Sequence, residues 1–291
     1  MPTRVFVGGR VCLPEEARIS VFDRGFLYGD SVYETVGTAY GHLFALAEHL
    51  MRLERSAELI GLRAPPRAEI EAAIDETIRA AGNRESRLRI VLTRGAGVLD
   101  LDPASVDDTQ LVVFVTPLSP PAPELYANGV AVAVVSVVRN SPRAIDPAIK
   151  SGNYLNSVLA LGEARRRGAY EAILCGADGT VAEGASSNVF MVVGGEVRTP
   201  GLEVGILDGI TRAHVLRLCG EHGIPHRQVR VSPAELRAAD EVFITSATRF
   251  VLPVTRVDDA VIGGGRPGPV TRRLGGLLDA LARRDAEGAT S

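Results

Sequence analysis

Lys150 is the sole lysine of a 291-residue chain whose other basic residues, among 32 Lys and Arg, are all arginine. At a surface or in an ion pair, arginine replaces lysine without loss, but as a nucleophile it cannot. A primary amine condenses with a carbonyl and can shed its proton when desolvated, whereas a guanidinium stays charged. The count alone is equally compatible with one lysine surviving in an arginine-biased composition, so its surroundings must decide. Lys150 closes the run Arg139-Asn-Ser-Pro-Arg-Ala-Ile-Asp-Pro-Ala-Ile-Lys150 and directly precedes Ser151-Gly-Asn-Tyr154 and a helical stretch. A loop between a buried strand and a helix is where a rigid scaffold presents reactive groups.

About thirty residues on, Val181-Ala-Glu-Gly-Ala-Ser-Ser-Asn188 sets Glu183 among small residues at the mouth of a strand. By itself such an acid can be a turn former. Beside one privileged lysine it points to pyridoxal 5'-phosphate, whose ring nitrogen needs a carboxylate partner to stay protonated. A phosphate must then be held. Gly209-Ile210-Thr211-Arg212 opens a helix, and its unbonded backbone N–H groups with the Thr211 hydroxyl form an anion site. The alternative there is a plain helix start with Asp208 as its N-cap. Arg52 on the first long helix and the run Thr245-Ser246-Ala247-Thr248 after a strand complete the cradle.

The elements that position these residues read as α+β, mixed α/β in character. Val5 to Val7 and Ile19 to Phe22 read as strands, and Leu46, Leu50, Leu53, Ala57 and Ile60 keep a helical period. Residues 67–81 form a second helix. Leu88 to Thr93 and Leu111 to Thr116 are strands joined by a Gly- and Asp-rich loop, Gly95 to Pro103. The prolines of Leu118-Ser-Pro-Pro-Ala-Pro123 interrupt both strand and helix. They place a linker at 119–125, between a small N-terminal domain, 1–118, and a larger cofactor-binding domain, 126–291. Val130 to Val138 is an apolar run suited to a buried central strand, followed by helices near Asn153 to Arg167, Gly209 to Glu221 and Thr271 to Arg284.

Composition excludes several classes. A hydrophobic content of 46%, a charged content of 23% and a net charge of -3 describe an ordinary globular protein without the clustered positive surface that nucleic acid demands. Three widely spaced cysteines without a CxxC pair argue against a disulfide framework or a zinc site, and the five histidines read as structural or surface residues. No metal site is expected. The first residues reach charge and proline too soon for a signal segment, and no apolar run approaches 18 residues, so the expected setting is cytoplasmic, away from membranes.

Arg52 in EHLMRL, Lys150 in IKSGNYLN, Glu183 in AEGASSN, GITR at 209–212 and ADEVFITSAT at 239–248 together resemble the class IV aminotransferases, the fold-type IV pyridoxal-phosphate enzymes. The resemblance runs from about Asp23 to Pro253. It implies a two-domain architecture with a small N-terminal α/β domain and a larger domain built on a β-barrel-like mixed sheet. It implies that Lys150 holds the cofactor as a Schiff base and then moves a proton between the substrate Cα and cofactor C4′. That task needs a pKa well below the ordinary lysine value of about 10.4. It implies further that Glu183 pairs with the ring nitrogen, that Tyr154 donates to the phenolate oxygen, and that Arg52, Gly209, Ile210, Thr211, Ser246, Ala247 and Thr248 surround the phosphate. Ala247 stands where the family often has Thr, which leaves only its backbone to serve. Asn188 matches a supporting position. A homodimer with sites at the interface is implied as well.

The substrate signals conflict. The loop GAGVLDLDP, with Leu99 and Leu101, and the run RNSPRAIDPAIKSGNYLN resemble branched-chain aminotransferases, which favours an aliphatic L-amino acid donor and a 2-oxo acid acceptor. Tyr28-Gly-Asp-Ser-Val-Tyr33-Glu-Thr35-Val-Gly37 departs from that pattern, and Tyr33 resembles the tyrosine of D-amino-acid transaminases that meets the substrate carboxylate. Residues 95–103 lack the Arg-x-His pair those enzymes often carry. Arg89 is a candidate carboxylate or loop anchor. A D-amino-acid or (R)-amine transaminase, an aminodeoxychorismate lyase and a non-enzymatic cofactor-binding protein stay open as alternatives.

Overall fold

Alternating apolar residues build the first sheet. In the computed structural model, which describes residues 2–289, contacts divide the chain into two units. The first unit contains the residues up to Ser119, the short segment Ile149–Asn153 and the described end of the chain from Ala282. Its elements are β1 (Arg4–Val7), β2 (Arg10–Cys12), α1 (Arg24–Tyr28), β3 (Ser31–Ala39), β4 (His42–Leu43), α2 (Leu46–Leu59), α3 (Arg67–Ala81), β5 (Ser86–Thr93) and β6 (Gln110–Pro117). The strands form one antiparallel sheet in the order β2-β1-β6-β5-β3-β4. Val32 and Val36 are an even number of residues apart on β3, so they point to one face, which they share with Leu88, Ile90, Leu92, Val113 and Val115. Onto that face α2 lays Leu50, Leu53 and Ala57, and α3 lays Ile70 and Ile74. Each such fully buried large side chain contributes roughly 1.5–3 kcal/mol.

The second unit holds Pro120–Ala148 and Tyr154–Leu281. Its elements are α4 (Pro123–Asn128), β7 (Val130–Val138), α5 (Leu155–Arg166), β8 (Glu171–Cys175), β9 (Val181–Gly184), β10 (Asn188–Val193), β11 (Glu196–Pro200), α6 (Ile210–Glu221), β12 (His226–Val229), α7 (Pro233–Arg237), β13 (Glu241–Ser246), β14 (Phe250–Val257), β15 (Ala260–Val261) and α8 (Pro269–Ala289), whose residues from Ala282 belong to the first unit. The sheet runs β12-β11-β10-β13-β14-β7-β8-β9, with β15 paired to β14. It is mixed: β11 with β12, β14 with β7, and β7 with β8 are parallel, and the other pairs are antiparallel. The sheet curls until β9 comes back against β10 and β11, giving the barrel-like form the sequence implies. Ile173, Val181, Met191, Val242, Ile244, Leu252 and Val254 fill one side. Ala160 and Ala164 of α5 let that helix settle closely on Ala133, Ala172 and Leu174.

One expectation fails locally. Ile19 to Phe22 is not a strand but an irregular segment ending in a turn. Ile19, Val21 and Phe22 are all exposed, so no face alternates, and the Asp23 carboxylate accepts from the N–H groups of Gly25 and Phe26 to start α1 instead. The expected linker at 119–125 contains the start of α4, because Pro123 stands at the first turn, where its missing N–H costs nothing.

Candidate active site

Lys150 belongs to the first unit, although the loop leading to it leaves a strand of the second. Residues 150–152 lie along the start of β3 as an extra edge. The Tyr33 N–H donates to the Lys150 carbonyl at 2.9 Å, the Gly152 N–H donates to the Ser31 carbonyl at 2.8 Å, and the Lys150 N–H donates to Ser56 Oγ at 3.2 Å. The backbone carrying the amine is thus fixed on both sides. Lys150 Nζ stands 3.5 Å from the Tyr33 hydroxyl and 4.5 Å from the centre of its ring. Arg89 places its guanidinium 3.8 Å from the same ring centre, a cation held against an aromatic face. Thr35 and Arg89 are direct cross-strand partners and Tyr33 is two residues from Thr35, so all three side chains share the face of the sheet opposite α2 and α3.

The opposite face carries a buried polar network. Glu34, fully buried, accepts from Arg52 Nε at 2.7 Å and Nη2 at 2.8 Å, and its carboxylate meets His49 Nδ1 at 2.7 Å. His49, Arg52 and Ser56 lie at i, i+3 and i+7 of α2, one stripe that meets β3 and the Lys150 segment. Burial works to raise the Glu34 pKa, and the hydrogen bonds and charges of Arg52 and then His49 more than offset it, holding the carboxyl at about 2. Glu34, His49 and Ser56 were not candidates from sequence. The helical spacing of the last two from Arg52 is the signal that could have found them.

Tyr28 ends α1 with the Arg24 guanidinium 5.2 Å over its ring. Arg24 also donates to the carbonyls of Asp100 at 2.8 Å and Leu101 at 3.3 Å, and shares the Asp30 carboxylate with Arg94. The backbone of the 95–103 loop is therefore pinned, while the side chains of Leu99 and Leu101 stand 67% and 76% exposed.

In the second unit Glu183, on β9, is buried and accepts from Arg139 Nε at 2.8 Å and from the Leu207 N–H at 3.0 Å. Arg139 opens the run that ends at Lys150 and was not singled out from sequence. Asn188, at the start of β10, donates to the Leu207 carbonyl at 3.0 Å, so Glu183 and Asn188 grip the same residue's backbone from two sides. Just beyond, α6 starts with Gly209, not Asp208, as its N-cap, and no side chain caps it. A Cβ at Gly209 would fall 1.9 Å from Asn188 Oδ1, so only glycine lets the helix start this close. Thr211 is buried in that first turn, and Asp208 instead meets Arg212 at 3.4 Å. Thr245, paired in register with Asn188, keeps a buried hydroxyl that has no hydrogen-bond partner among the described residues. Ser246, Ala247 and Thr248 follow in a half-buried turn closed by the Arg249 N–H on the Ser246 carbonyl at 3.2 Å. Tyr154, half-buried, is the N-cap residue of α5.

These features suit pyridoxal phosphate: the amine of the sequence's single lysine on a backbone that is held in place, a buried carboxylate oriented by an arginine, and a 12-residue helix whose N-terminus has no side-chain cap among the described residues.

A model of the family "Amino-transferase class IV" matches residues 31–257. The chain is 36% identical to the D-alanine aminotransferase of Bacillus licheniformis, over 93% of this chain and 94% of that protein. It is 32% identical to the aminodeoxychorismate lyase of Bacillus subtilis (strain 168), over 93% of this chain and 92% of that one. Among solved structures, the branched-chain aminotransferase of the thermophilic archaeon Thermoproteus uzoniensis, solved with norvaline, superposes with a TM-score of 0.89 at 34% identity, covering 96% of this chain and 94% of that chain.

Proposed function

The chain belongs to the class IV aminotransferases, and from that premise we propose that it moves an amino group from an aliphatic L-amino acid to a 2-oxo acid, with Lys150 as the residue that holds pyridoxal phosphate. The observation that carries the reading is the placement of the only lysine on the edge of β3, its Nζ 3.5 Å from the Tyr33 hydroxyl and its backbone tied to Tyr33 and Ser56.

Bound pyridoxal phosphate supplies an aldehyde that exchanges amines and a protonated ring that draws electrons from the carbon bearing the amino group. The chain's own residues do the rest. The Lys150 amine would hold the cofactor and, when free, would take the proton from the substrate Cα. The Tyr33 hydroxyl keeps that amine oriented. Glu183, its carboxylate fixed by Arg139 and the Leu207 N–H, partners the ring nitrogen and keeps it protonated. Tyr154 donates to the phenolate oxygen. The first N–H groups of α6 at Gly209 to Thr211, the turn at Ser246 to Thr248 and Arg52 would take the phosphate, and Asn188, packed against Gly209 and bonded to the Leu207 carbonyl, would fix the start of α6. Arg89, stacked on Tyr33, receives the substrate carboxylate, and Thr35 lines the same face.

The same reading makes the enzyme a homodimer in which Leu99 and Leu101 reach a neighbouring subunit's substrate. Its support is the exposure of Ile19, Val21, Phe22, Phe26, Val98 and Leu101 in one unit, an apolar set that water alone covers poorly. A cytoplasmic setting is supported by three free cysteines, two of them buried; among the described residues no helix is long and apolar enough to cross a membrane.

A D-amino acid donor is the second reading, favoured by one observation: a tyrosine, Tyr33, is the residue whose hydroxyl faces Lys150. Mixing the cofactor-loaded enzyme separately with L-leucine and D-alanine, and following loss of the cofactor's long-wavelength absorbance, distinguishes them. Rapid loss with L-leucine alone supports the first reading and with D-alanine alone the second. No loss with either moves (R)-amine transfer or the lyase reaction forward.

A further inference from the structure

Arg249 has no part in the chemistry above, yet it ties together the turn between Glu183 and Asn188 and the turn proposed to meet the phosphate. Its partner Glu171 begins β8 and is 1% exposed; Arg249 Nη1 donates to that carboxylate at 3.0 Å. Ser186 Oγ donates to the same carboxylate at 2.8 Å and Ser187 Oγ at 3.3 Å. The guanidinium's other nitrogens are engaged too. Nη2 reaches the Ser186 carbonyl at 2.7 Å and Ser186 Oγ at 2.9 Å, and Nε reaches Ser246 Oγ at 2.8 Å.

The two turns so joined are specific ones. Residues 184–187, closed by the Gly184 N–H on the Ser187 carbonyl at 2.7 Å, separate Glu183 from Asn188. Residues 246–249 contain Ser246, Ala247 and Thr248. Asn188 and Thr245 pair in register on β10 and β13, so both turns leave the sheet at the same edge. A buried ion pair of this kind gains little net stability over an apolar pair, because desolvation costs about what the attraction returns. What it does provide is fixed geometry: a planar fork with several donors locks several acceptors at once, which a lysine cannot do.

We propose that Arg249 and Glu171 are positioning residues that set how tightly the cofactor's phosphate is held, by fixing the 246–248 turn against the turn that follows Glu183. The proposal rests on the assignment of that turn to the phosphate.

The test compares dissociation constants of the cofactor-stripped enzyme for pyridoxal phosphate and for pyridoxal, which lacks the phosphate, by absorbance titration. The wild type is set against Arg249→Lys, Glu171→Gln and Thr248→Ala, with circular dichroism confirming the fold of each. Arg249→Lys and Glu171→Gln are expected to weaken pyridoxal phosphate about tenfold, the equivalent of one charge-assisted hydrogen bond, and to leave pyridoxal within about twofold of wild type. If Thr248→Ala weakens pyridoxal phosphate while Arg249→Lys and Glu171→Gln bind it like wild type, the rivet is wrong and the phosphate assignment stands. Equal weakening of both aldehydes in Arg249→Lys also overturns it, since the pair would then act on the fold as a whole. If Thr248→Ala binds pyridoxal phosphate like wild type, the phosphate assignment itself falls, and the proposal with it.

Discussion

Arg52 grips the carboxylate of Glu34 with two nitrogens, at 2.7 and 2.8 Å, and this fork fixes a helix residue against the strand whose next-door tyrosine faces Lys150. The fully buried Glu34 carboxyl, at about 2 against an ordinary 4.5, contributes stability above the unfolded value and loses it as pH falls through the folded one. Over the window from about 4.5 down to about 2 the wild type therefore loses about 3 kcal/mol from this group. Glu34→Gln removes the buried charge that Arg52 grips and should cost about 3 kcal/mol at neutral pH. Denaturant unfolding at neutral pH and at a pH inside that window should show the two proteins converging as acid is added. A constant gap between them would mean that the fork does not set the acid response.

Asp30, held between Arg24 and Arg94, governs a different segment. Burial works to raise its pKa, and hydrogen bonds from Arg94 and Arg24 prevail, leaving it lowered. Asp30→Asn weakens both arginines' hold, and with it the donation from Arg24 to the Asp100 and Leu101 carbonyls. Amide hydrogen exchange over residues 98–103 should speed up by about tenfold, the effect of losing one such bond, while exchange in α3 stays unchanged. Unchanged exchange in the loop would show that Arg24 holds it without Asp30.

Much of the candidate site can be proposed from the sequence because its signals are local. Lys150 stood out by type, and Gly209 to Thr211 and Glu183 by the small residues around them. The rest depends on long-range contact. Ser56 supports the Lys150 backbone from 94 positions away in sequence, and Arg139 reaches Glu183 across 44. His49 reads as an ordinary structural histidine until β3 is known to place Glu34 against it. The strand character of Ser31–Ala39 was hidden by polar residues whose partners fold against both of its faces. Ile19 to Phe22 misled in the opposite sense: Ile19, Val21 and Phe22 are apolar, but among the described residues no strand pairs with the segment. The membership of Ile149–Asn153 in the first unit reflects backbone hydrogen bonds to β3, which no composition signal announces.

Gly209→Ala tests the proposed anion site at α6. The new Cβ would fall 1.9 Å from Asn188 Oδ1, so either Asn188 or the helix start must move. Losing one charge-assisted hydrogen bond from that turn, about 1.5 kcal/mol, should raise the dissociation constant for pyridoxal phosphate about tenfold. Absorbance titration of the stripped enzyme checks it, and wild-type affinity would move the phosphate elsewhere.

Tyr33→Phe removes only the hydroxyl near Lys150 Nζ, leaving the ring that Arg89 stacks against. At 3.5 Å that bond is weak in the resting enzyme, so thermal stability should hardly change, while kcat/KM should fall about tenfold as the amine loses its guide during proton transfer. Steady-state kinetics with the better of the two amino acid donors measures it. An unchanged kcat/KM would remove Tyr33 from the chemistry.

The most direct test of the account is to reduce the cofactor-loaded enzyme with borohydride and map the covalently retained pyridoxyl group by peptide mass spectrometry. With one lysine in the chain, the only other primary amine is the N-terminus. The account predicts the label on the peptide containing Lys150, and its loss in Lys150→Ala. A label confined to the N-terminal peptide, or none on a protein that turns over amino acids, would contradict it.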